Sequence, residues 1–405
     1  MLIFILISSS TYALDLRGSF NQQYYAKLKA PAYLMGDKLN VFESELTCDL
    51  GRQASCYLLE NIFFVKNNDM YDISIEIREL YIDYYSQFGD FKIGKQIISW
   101  GMADEHNPMD NINPEDFRNP FLPKSDRKIG VWAVRSDLYI NDYNLQLVWA
   151  PYFESTVLPL SGSDTSIFPF PAAVLALDPA EPETSMANSQ YGIRLLSEGR
   201  GFDYSLSYYD GYEKIFTPQM SGMIISGLFY NRIKVIGADF AANIFDFDVR
   251  GEAAYFMTAD SDGTDTSVRN PYYQYIIGAA YTFEDDLKVG INYAEEIITM
   301  IDDSAERNIE AANIPRAGMQ LSIFTAKALA FLCEKEFTDD NIKVRVPLVL
   351  DLENGGCMTS PEVSWSPQDA LNCAIGLVIL DGSDSSLLGS MRNNSQFYFK
   401  LEQSF

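Results

Sequence analysis

The last ten residues constrain the fold of this chain more than any other segment. From residue 396 onward, apolar and polar side chains alternate. The apolar set is Phe397, Phe399, Leu401 and Phe405, and the polar set is Tyr398, Lys400, Glu402 and Ser404. This pattern is typical of the last strand of a bacterial outer-membrane β-barrel, with lipid outside and water inside. A soluble sandwich strand alternates too, so the rest of the chain has to repeat the pattern.

Three further segments repeat it, at 247–255, 287–293 and 342–351, with charged side chains on one face in mid-strand. Alternation with period two predicts a β-strand, and mid-strand charges indicate that the second face is wet. No 18 apolar residues run together, which excludes a transmembrane helix. A closed barrel is the other structure that satisfies every backbone polar group in a bilayer.

The connections between the predicted strands fall into two classes. Short polar turns occur at 88–90, 140–142, 198–201, 283–286, 338–341 and 367–370. Longer connections occur at 103–126, 154–187, 213–223, 259–270, 299–315 and 382–393. Barrels of the outer membrane have short periplasmic turns and long extracellular loops. We therefore predict an all-β fold, a single transmembrane antiparallel β-barrel over 14–405. It has about 18 strands, with 16 as the alternative count, and its long connections are exposed at the cell surface.

Residues 1–13 are predicted to be a signal peptide, since an apolar run is followed by small residues at Thr11 and Ala13. It lacks a basic n-region, which indicates a truncated start.

Cys48 and Cys56 flank a predicted turn at 49–55. Secretion permits a disulfide, so we predict a bridge between them. No spacing of Cys and His suggests a metal site, and no cofactor is predicted.

The formal net charge of −26 argues against a nucleic-acid partner, which requires a basic footprint. Much of the acid lies in predicted loops, for example Asp260 and Asp262. These loops are either a solvated surface or a bridge to lipopolysaccharide through divalent cations. Outer-membrane lipid and lipopolysaccharide are the expected surroundings.

A characteristic stretch runs from Arg78-Glu-Leu-Tyr through Gly89-Asp and Gly94-Lys-Gln to Trp100-Gly, followed by Asn107-Pro and Asn113-Pro. It resembles the porin-like outer-membrane barrels of proteobacteria, long catalogued as a domain of unknown function and related in style to alginate-export barrels. The resemblance covers most of the chain and is best in 76–153 and 340–405. It implies an 18-strand barrel and insertion by the barrel-assembly machinery, with Phe399 and Phe405 as the signal. A periplasmic carrier of an export system is a further candidate partner.

Adjacent predicted strands in this stretch carry many charges. They are Glu76, Arg78, Glu79, Asp83, Lys92, Lys95, Arg135 and Asp137. In lipid such charges would cost several kcal/mol, so we predict that they face the lumen. There they form a polarised constriction or a static lattice of salt bridges. Polar residues change parity between Arg78 and Glu79, which predicts a β-bulge.

The leading functional hypothesis is a porin-like channel that passes a solute or an amphipathic molecule through a charged lumen. The alternative is a non-conducting docking barrel that works with a periplasmic export system. The long connection 154–187 carries an apolar stretch; it either constricts or covers the pore, or packs on the surface. An enzyme is the least favoured class. His106 is the only histidine and lies near Ser99, but a catalytic triad needs geometry rather than proximity in sequence.

Overall fold

The computed structural model describes residues 14–28, 38–67, 70–103, 106–118, 122–158, 177–199, 201–221, 224–264, 268–299, 327–383 and 386–405. The first ten strands are β1 (Leu14–Lys27), β2 (Lys38–Asp49), β3 (Ala54–Asn67), β4 (Met70–Ser86), β5 (Gly89–Gln96), β6 (Val131–Ile140), β7 (Tyr143–Ala150), β8 (Gln190–Glu198), β9 (Phe202–Tyr212) and β10 (Thr217–Ser221). The others are β11 (Ile224–Phe229), β12 (Arg232–Ile244), β13 (Phe247–Met257), β14 (Tyr272–Thr282), β15 (Leu287–Ile298), β16 (Lys327–Phe337), β17 (Ile342–Asp351), β18 (Gly356–Thr359), β19 (Glu362–Gln368), β20 (Leu371–Gly382) and β21 (Gln396–Ser404). Two four-residue helices, α1 (Lys124–Arg127) and α2 (Leu387–Ser390), lie in connections, as do 3₁₀ turns at Met186–Asn188, Thr338–Asp340 and Arg392–Asn394. Within the described residues, no helix has the length and hydropathy needed to span a bilayer.

The strands form a closed antiparallel barrel. Apart from β10, β11, β18 and β19, consecutive strands pair with each other; β9 pairs with β12, and β1 pairs with β21 to close the ring. Strands β10 and β11 form a separate hairpin. Strands β18 and β19 both lie between β17 and β20 and share one position. The barrel therefore has 18 strands, which confirms the predicted fold and excludes the count of 16.

The two rims of the barrel differ, as predicted. All six predicted short turns lie at one rim, which we call the short-turn rim; Leu14 and Phe405 lie there too. The strand ends that flank the six predicted long connections lie at the opposite rim, the long-loop rim. Antiparallel neighbours joined in sequence order place successive connections at alternating rims, which sorts short turns from long connections. The even strand count brings the end of the last strand to the rim where the first strand begins.

The alternation in β21 sorts side chains between the two faces of the wall. Phe397 on the outer face is 37% exposed, whereas Tyr398 on the inner face is 6% exposed.

A β-bulge is present in β4 where the parity changes. Leu59 pairs with Glu79 and Glu60 with Ile77, which leaves Arg78 as the extra residue. The bulge predicted from sequence is confirmed.

The described part of the connection between β5 and β6, residues 97–103, 106–118 and 122–130, packs mainly against the inner wall. We call it the inward loop. Its apolar residues Ile98, Trp100, Met109 and Ile112 are buried in one cluster against inner-wall side chains from β6, β7, β9, β12, β13 and β14. The prediction that 103–126 is exposed at the cell surface is therefore wrong for the described residues 106–118. Burying these apolar side chains inside the barrel removes them from water.

Three predicted segments cannot be followed through the structure. Residues 1–13, most of 154–187, and residues 300–315 of the predicted connection 299–315 lie outside the described residues. The described start of the connection 154–187 rests on the inward loop: Phe117 N donates to Val157 O at 2.9 Å, and Val157 N donates to Glu115 O at 3.0 Å. This contact holds residues 154–158 at the mouth of the barrel.

Candidate functional site: a passage beside the inward loop

Asn113 fixes both ends of the inward loop. Its side-chain oxygen accepts a hydrogen bond from Ile98 N at 2.7 Å, and its amide donates to Gln96 O at 3.1 Å and Ile129 O at 2.7 Å. Glu79, on the neighbouring strand, accepts from Ile97 N at 2.7 Å. Because buried backbone groups need partners, these bonds replace the strand ladder that ends at Gln96.

Glu252, in the middle of β13, holds the centre of the inward loop from the opposite wall. It is 3% exposed. Its carboxylate accepts hydrogen bonds from Met109 N at 2.7 Å, and from Ala103 N and Asn107 Nδ2 at 3.4 Å. Gly101, at φ +101°, passes so close that a Cβ there would lie 2.4 Å from Glu252 Oε2. This position therefore requires glycine, both for its φ and for its lack of a side chain.

Trp100 links the loop to the charged wall. Its ring is 1% exposed, and Nε1 donates to Gln146 Oε1 at 2.5 Å. Gln146 in turn donates to Asp137 Oδ1 at 2.6 Å, and Arg135 Nε lies 2.7 Å from Asp137 Oδ2. A buried indole N–H usually finds such a partner, and here the partner is itself fixed by an ion pair.

Asp110 forms salt bridges with two lysines of the inward loop. It lies 2.9 Å from Lys124 Nζ and 2.6 Å from Lys128 Nζ. Burial tends to raise the pKa of the Asp110 carboxyl, but the charges of the two lysines outweigh it, and the pKa lies below the usual value. Lys128 also donates to Ser99 Oγ at 2.6 Å. This cluster binds the helical end of the loop to its start.

The inward loop fills one side of the barrel and leaves a cavity along the other, which we call the passage. The open volume is about 620 Å³. Its lining extends from Leu122 and Ile215 near the long-loop rim to Lys288, the second residue of β15 at the short-turn end. One side of the lining is the inward loop, with His106; the other is the inner wall of β14 to β21. The lining combines charged groups with an apolar strip that includes Val349 and Met358.

Basic side chains outnumber carboxylates in this lining. The cations near the loops are Lys124, Arg127, Lys214 and Arg269, and those on the wall are Lys288, Arg345 and Lys400. The carboxylates are Asp110, Glu115, Glu213, Glu334 and Glu362. The lining is thus more positive than the chain as a whole, whose net charge is −26.

Two titratable groups at the loop side of the passage have lowered pKa values. Burial lowers the pKa of Lys214 to about 7, partly offset by the charge of Glu154, and its ammonium donates to Gln190 Oε1 at 2.7 Å. Burial and the positive charge of Lys124 lower the pKa of His106 to about 4. His106 is therefore neutral at pH 7.

The eight residues predicted to line a constriction do not line this passage. Seven lie on the inner face of the barrel, in the half that the inward loop occupies. Lys92 Nζ is 3.5 Å from Asp83 Oδ2 and 3.7 Å from the centre of the Tyr81 ring. Arg78 lies 3.5 Å from Glu43 and donates to Ser125 O at 2.8 Å.

Of the two roles proposed for these seven, the contacts favour a lattice that supports the inward loop. Glu79 and Asp137 reach it as described above, and Arg78 reaches α1. Glu76 lies opposite Asn61 across β3 and β4. Their effect on permeation stays a prediction.

Lys95 differs from the prediction. It pairs with Leu80 on β4 and Trp132 on β6, and Trp132 is an exposed outer-face residue. Lys95 therefore lies on the outer face, where its ammonium donates to Ile77 O at 2.8 Å. The physical reason is the two-residue period of a strand: Lys92 faces inward, so a residue three positions on faces outward.

Cys48 and Cys56 are directly opposite in the β2–β3 pairing, as the predicted disulfide requires. Both are free thiols in the structure, so the bridge stays a prediction. Phe405 lies on the outer face at the closing seam, where its backbone exchanges hydrogen bonds with Gly18 at 2.9 and 3.2 Å and its ring stacks on Phe42. Phe399 lies opposite Tyr24 in the same seam. Their role as an assembly signal stays a prediction.

Sequence reasoning missed Glu252, Asn113 and Asp110, which hold the inward loop. The sequence does carry signals for these contacts: Glu252 is a carboxylate in mid-strand, and Trp100-Gly and Asn113-Pro lie in the loop that it holds. Within the described ranges, no group of three or more His, Cys, Asp or Glu side chains is arranged to hold a metal ion.

Comparisons with known proteins agree with this architecture. A family model described as a protein of unknown function (DUF1302) matches residues 66–302. No curated protein matches the chain. Among solved structures, the chain is similar to Acinetobacter baumannii OccAB2, with TM-score 0.56 and 10% identity over 98% of both chains. It is also similar to Pseudomonas aeruginosa OccK5 (OpdH), with TM-score 0.54 and 9% identity over 97% of both chains. At this identity the likeness shows the fold alone.

Proposed function

The chain belongs to the DUF1302 family of proteins of unknown function, and from that premise we propose that it is a porin-like channel of the bacterial outer membrane. The family resemblance read from the sequence is confirmed. The observation that carries the proposal is the passage of about 620 Å³ beside the inward loop. A loop that folds into a barrel and leaves one side open narrows a pore without closing it, and pore width and lining then control permeation.

The lining supports a preference for anions. Lys214 and Lys288 line opposite ends of the passage, and neither forms an ion pair with a carboxylate of the described residues. Other lining cations, such as Arg127 and Lys400, pair with Glu115 at 3.0 Å and Glu362 at 3.3 Å. The seven cations of the lining exceed its five carboxylates, and this positive excess attracts mobile anions in a low-dielectric channel. We expect a permeability to chloride above that to potassium.

The test is conductance of the purified barrel in planar bilayers, with two matched variants. Ala330 lines the passage, whereas the next residue, Phe331, is exposed on the outer face. Ala330→Trp should reduce conductance because the ring occupies the passage. Phe331→Trp should leave conductance unchanged, because the larger ring lies on the outer face and not in the passage.

A folded, heat-modifiable protein that conducts no ions in its unmodified form would refute the channel. The docking barrel with a periplasmic carrier would then replace it. On the channel proposal, outer-membrane lipid and lipopolysaccharide surround the outer face, the barrel-assembly machinery inserts the chain, and the short-turn rim faces the periplasm.

A further inference from the structure

Two prolines lie on adjacent strands in the middle of the barrel wall. Pro347 is in β17, and Pro361 lies between β18 and β19. The register is continuous on both sides of the break, since Arg345 pairs with Glu362 and Leu348 with Thr359. Pro347 is therefore opposite Ser360. Because proline has no N–H, it is normally excluded from central strands.

Each proline removes one ladder hydrogen bond, on opposite sides of the same strand. Ser360 N donates to Pro347 O at 3.4 Å, but Pro347 has no N–H to return to Ser360 O. Leu377 N donates to Pro361 O at 3.0 Å, and Pro361 likewise returns nothing to Leu377 O. Ser360 O and Leu377 O therefore each lack the ladder donor that a residue other than proline would supply. The wall is thus weakened at one level across β17 to β20.

This weak level separates an apolar part of the passage from an apolar outer surface. On the inside, Pro347, Ser360 and Met358 line the passage. On the outside, Val346 and Val363 are exposed on the outer face. Two residues from Ser360 towards the short-turn rim, Glu362 forms a salt bridge with Lys400 at 3.3 Å, and both side chains line the passage. A polar head and an apolar chain would each find matching surroundings here.

We propose that Pro347, Ser360 and Pro361 form a lateral portal, through which the alkyl chain of an amphipathic molecule moves between the passage and the bilayer. This inference rests on the proposed channel function and names its substrate class. Opening requires β18–β19 to separate from β17 or β20, where the ladders already lack one bond each. The head group stays at the charged surface inside, while the chain leaves sideways.

The test uses thiol labelling from within the membrane. All five native cysteines are first replaced by alanine, and one cysteine is then introduced at Met358→Cys or Asn292→Cys. Asn292 and Met358 line the passage in the same transverse row, because Asn292 pairs with Ala330, Ala330 with Val349, and Val349 with Met358. N-dodecylmaleimide dissolved in the bilayer should label position 358 at least about tenfold faster than position 292. N-ethylmaleimide added in water should label both.

The wall is then repaired by Pro347→Val with Pro361→Val, which supplies both missing donors. Labelling of position 358 by the dodecyl reagent should fall to the level of position 292, and hydrogen exchange at Leu377 should slow. Pro271→Val, outside the strands, is the control and should change neither. Equal dodecyl labelling of both positions, or labelling unaffected by the repair, would overturn the portal. If the water-soluble reagent reaches neither position while the dodecyl reagent still labels 358, the portal stands and the channel falls.

Discussion

Glu252 should decide whether the inward loop stays docked. Replacing it by alanine leaves Met109 N and Ala103 N without their acceptor, while Asn107 Nδ2 keeps its bond to Ala103 O at 2.7 Å. The bond to Met109 N at 2.7 Å is the strong one, and the two at 3.4 Å are weak. Leaving a buried donor unsatisfied costs ~1–3 kcal/mol. We therefore expect the docked loop to lose about 2–4 kcal/mol relative to the released loop, with the weak bonds adding a minor share.

A shift of that size is a factor of about 30 to 1,000 in the population of the released loop, since 1.4 kcal/mol corresponds to tenfold. Hydrogen exchange at the Met109 amide measures it directly, because exchange of a buried amide reports local opening. Glu252→Ala should accelerate exchange by that factor, and single-channel current should rise and become noisier. Glu252→Gln retains one acceptor oxygen and should have a smaller effect.

The matched control is Asp248→Ala, which removes a carboxylate from the inner face of the same strand but away from the loop. Asp248 accepts only from Asn243 Nδ2 at 3.3 Å in the described structure. Met109 exchange in this control should equal that of the unmodified protein. Unchanged exchange in Glu252→Ala, or the same acceleration in both variants, would show that Glu252 does not hold the loop.

Three further predictions follow from named contacts. The pKa of His106 is lowered to about 4, so below about pH 6.5 the released loop binds a proton that the docked loop does not. Docking should therefore weaken as pH falls from 6.5 to 4. The measure is the protection of the Met109 amide relative to the intrinsic exchange rate at each pH, and the loss of protection over this range should be smaller in His106→Gln. Deleting Phe405 removes the ring at the closing seam and should lower the yield of heat-modifiable protein in the outer membrane, whereas deleting Asp262 should not; equal yields would contradict an assembly role. Mass spectrometry of the non-reduced protein should find Cys48 joined to Cys56, with a stabilisation below the ~3 kcal/mol of a 15-residue loop; free thiols at both positions would reject the bridge.

Periodicity in the sequence was enough to predict the wall of the barrel. The strand over 342–351 has the same limits in the structure, because side chains that alternate between lipid and water leave a strict two-residue pattern. The same rule located the bulge at Arg78, where the pattern shifts by one. It also contained the correct position of Lys95: Lys92 and Lys95 are three residues apart and cannot share a face.

The long connections carry no comparable signal. Residues 103–126 have the polar composition of a surface loop, yet the described residues 106–118 pack against one side of the barrel interior. The loop docks through partners far away in sequence: Glu252 lies 143 residues from Met109, and Gln146 lies 46 residues from Trp100. Such pairs become neighbours only when the barrel closes.

The sequence alone therefore determined that this chain forms an antiparallel barrel, which side chains of its strands point outward, and where its short turns lie. Each of these depends on residues a few positions apart. Only the tertiary structure decided which connection enters the barrel, where the passage runs, and that Pro347 and Pro361 weaken the same level of one wall. Those features depend on which strands become neighbours and at what register, and period-two alternation is the same for every neighbour.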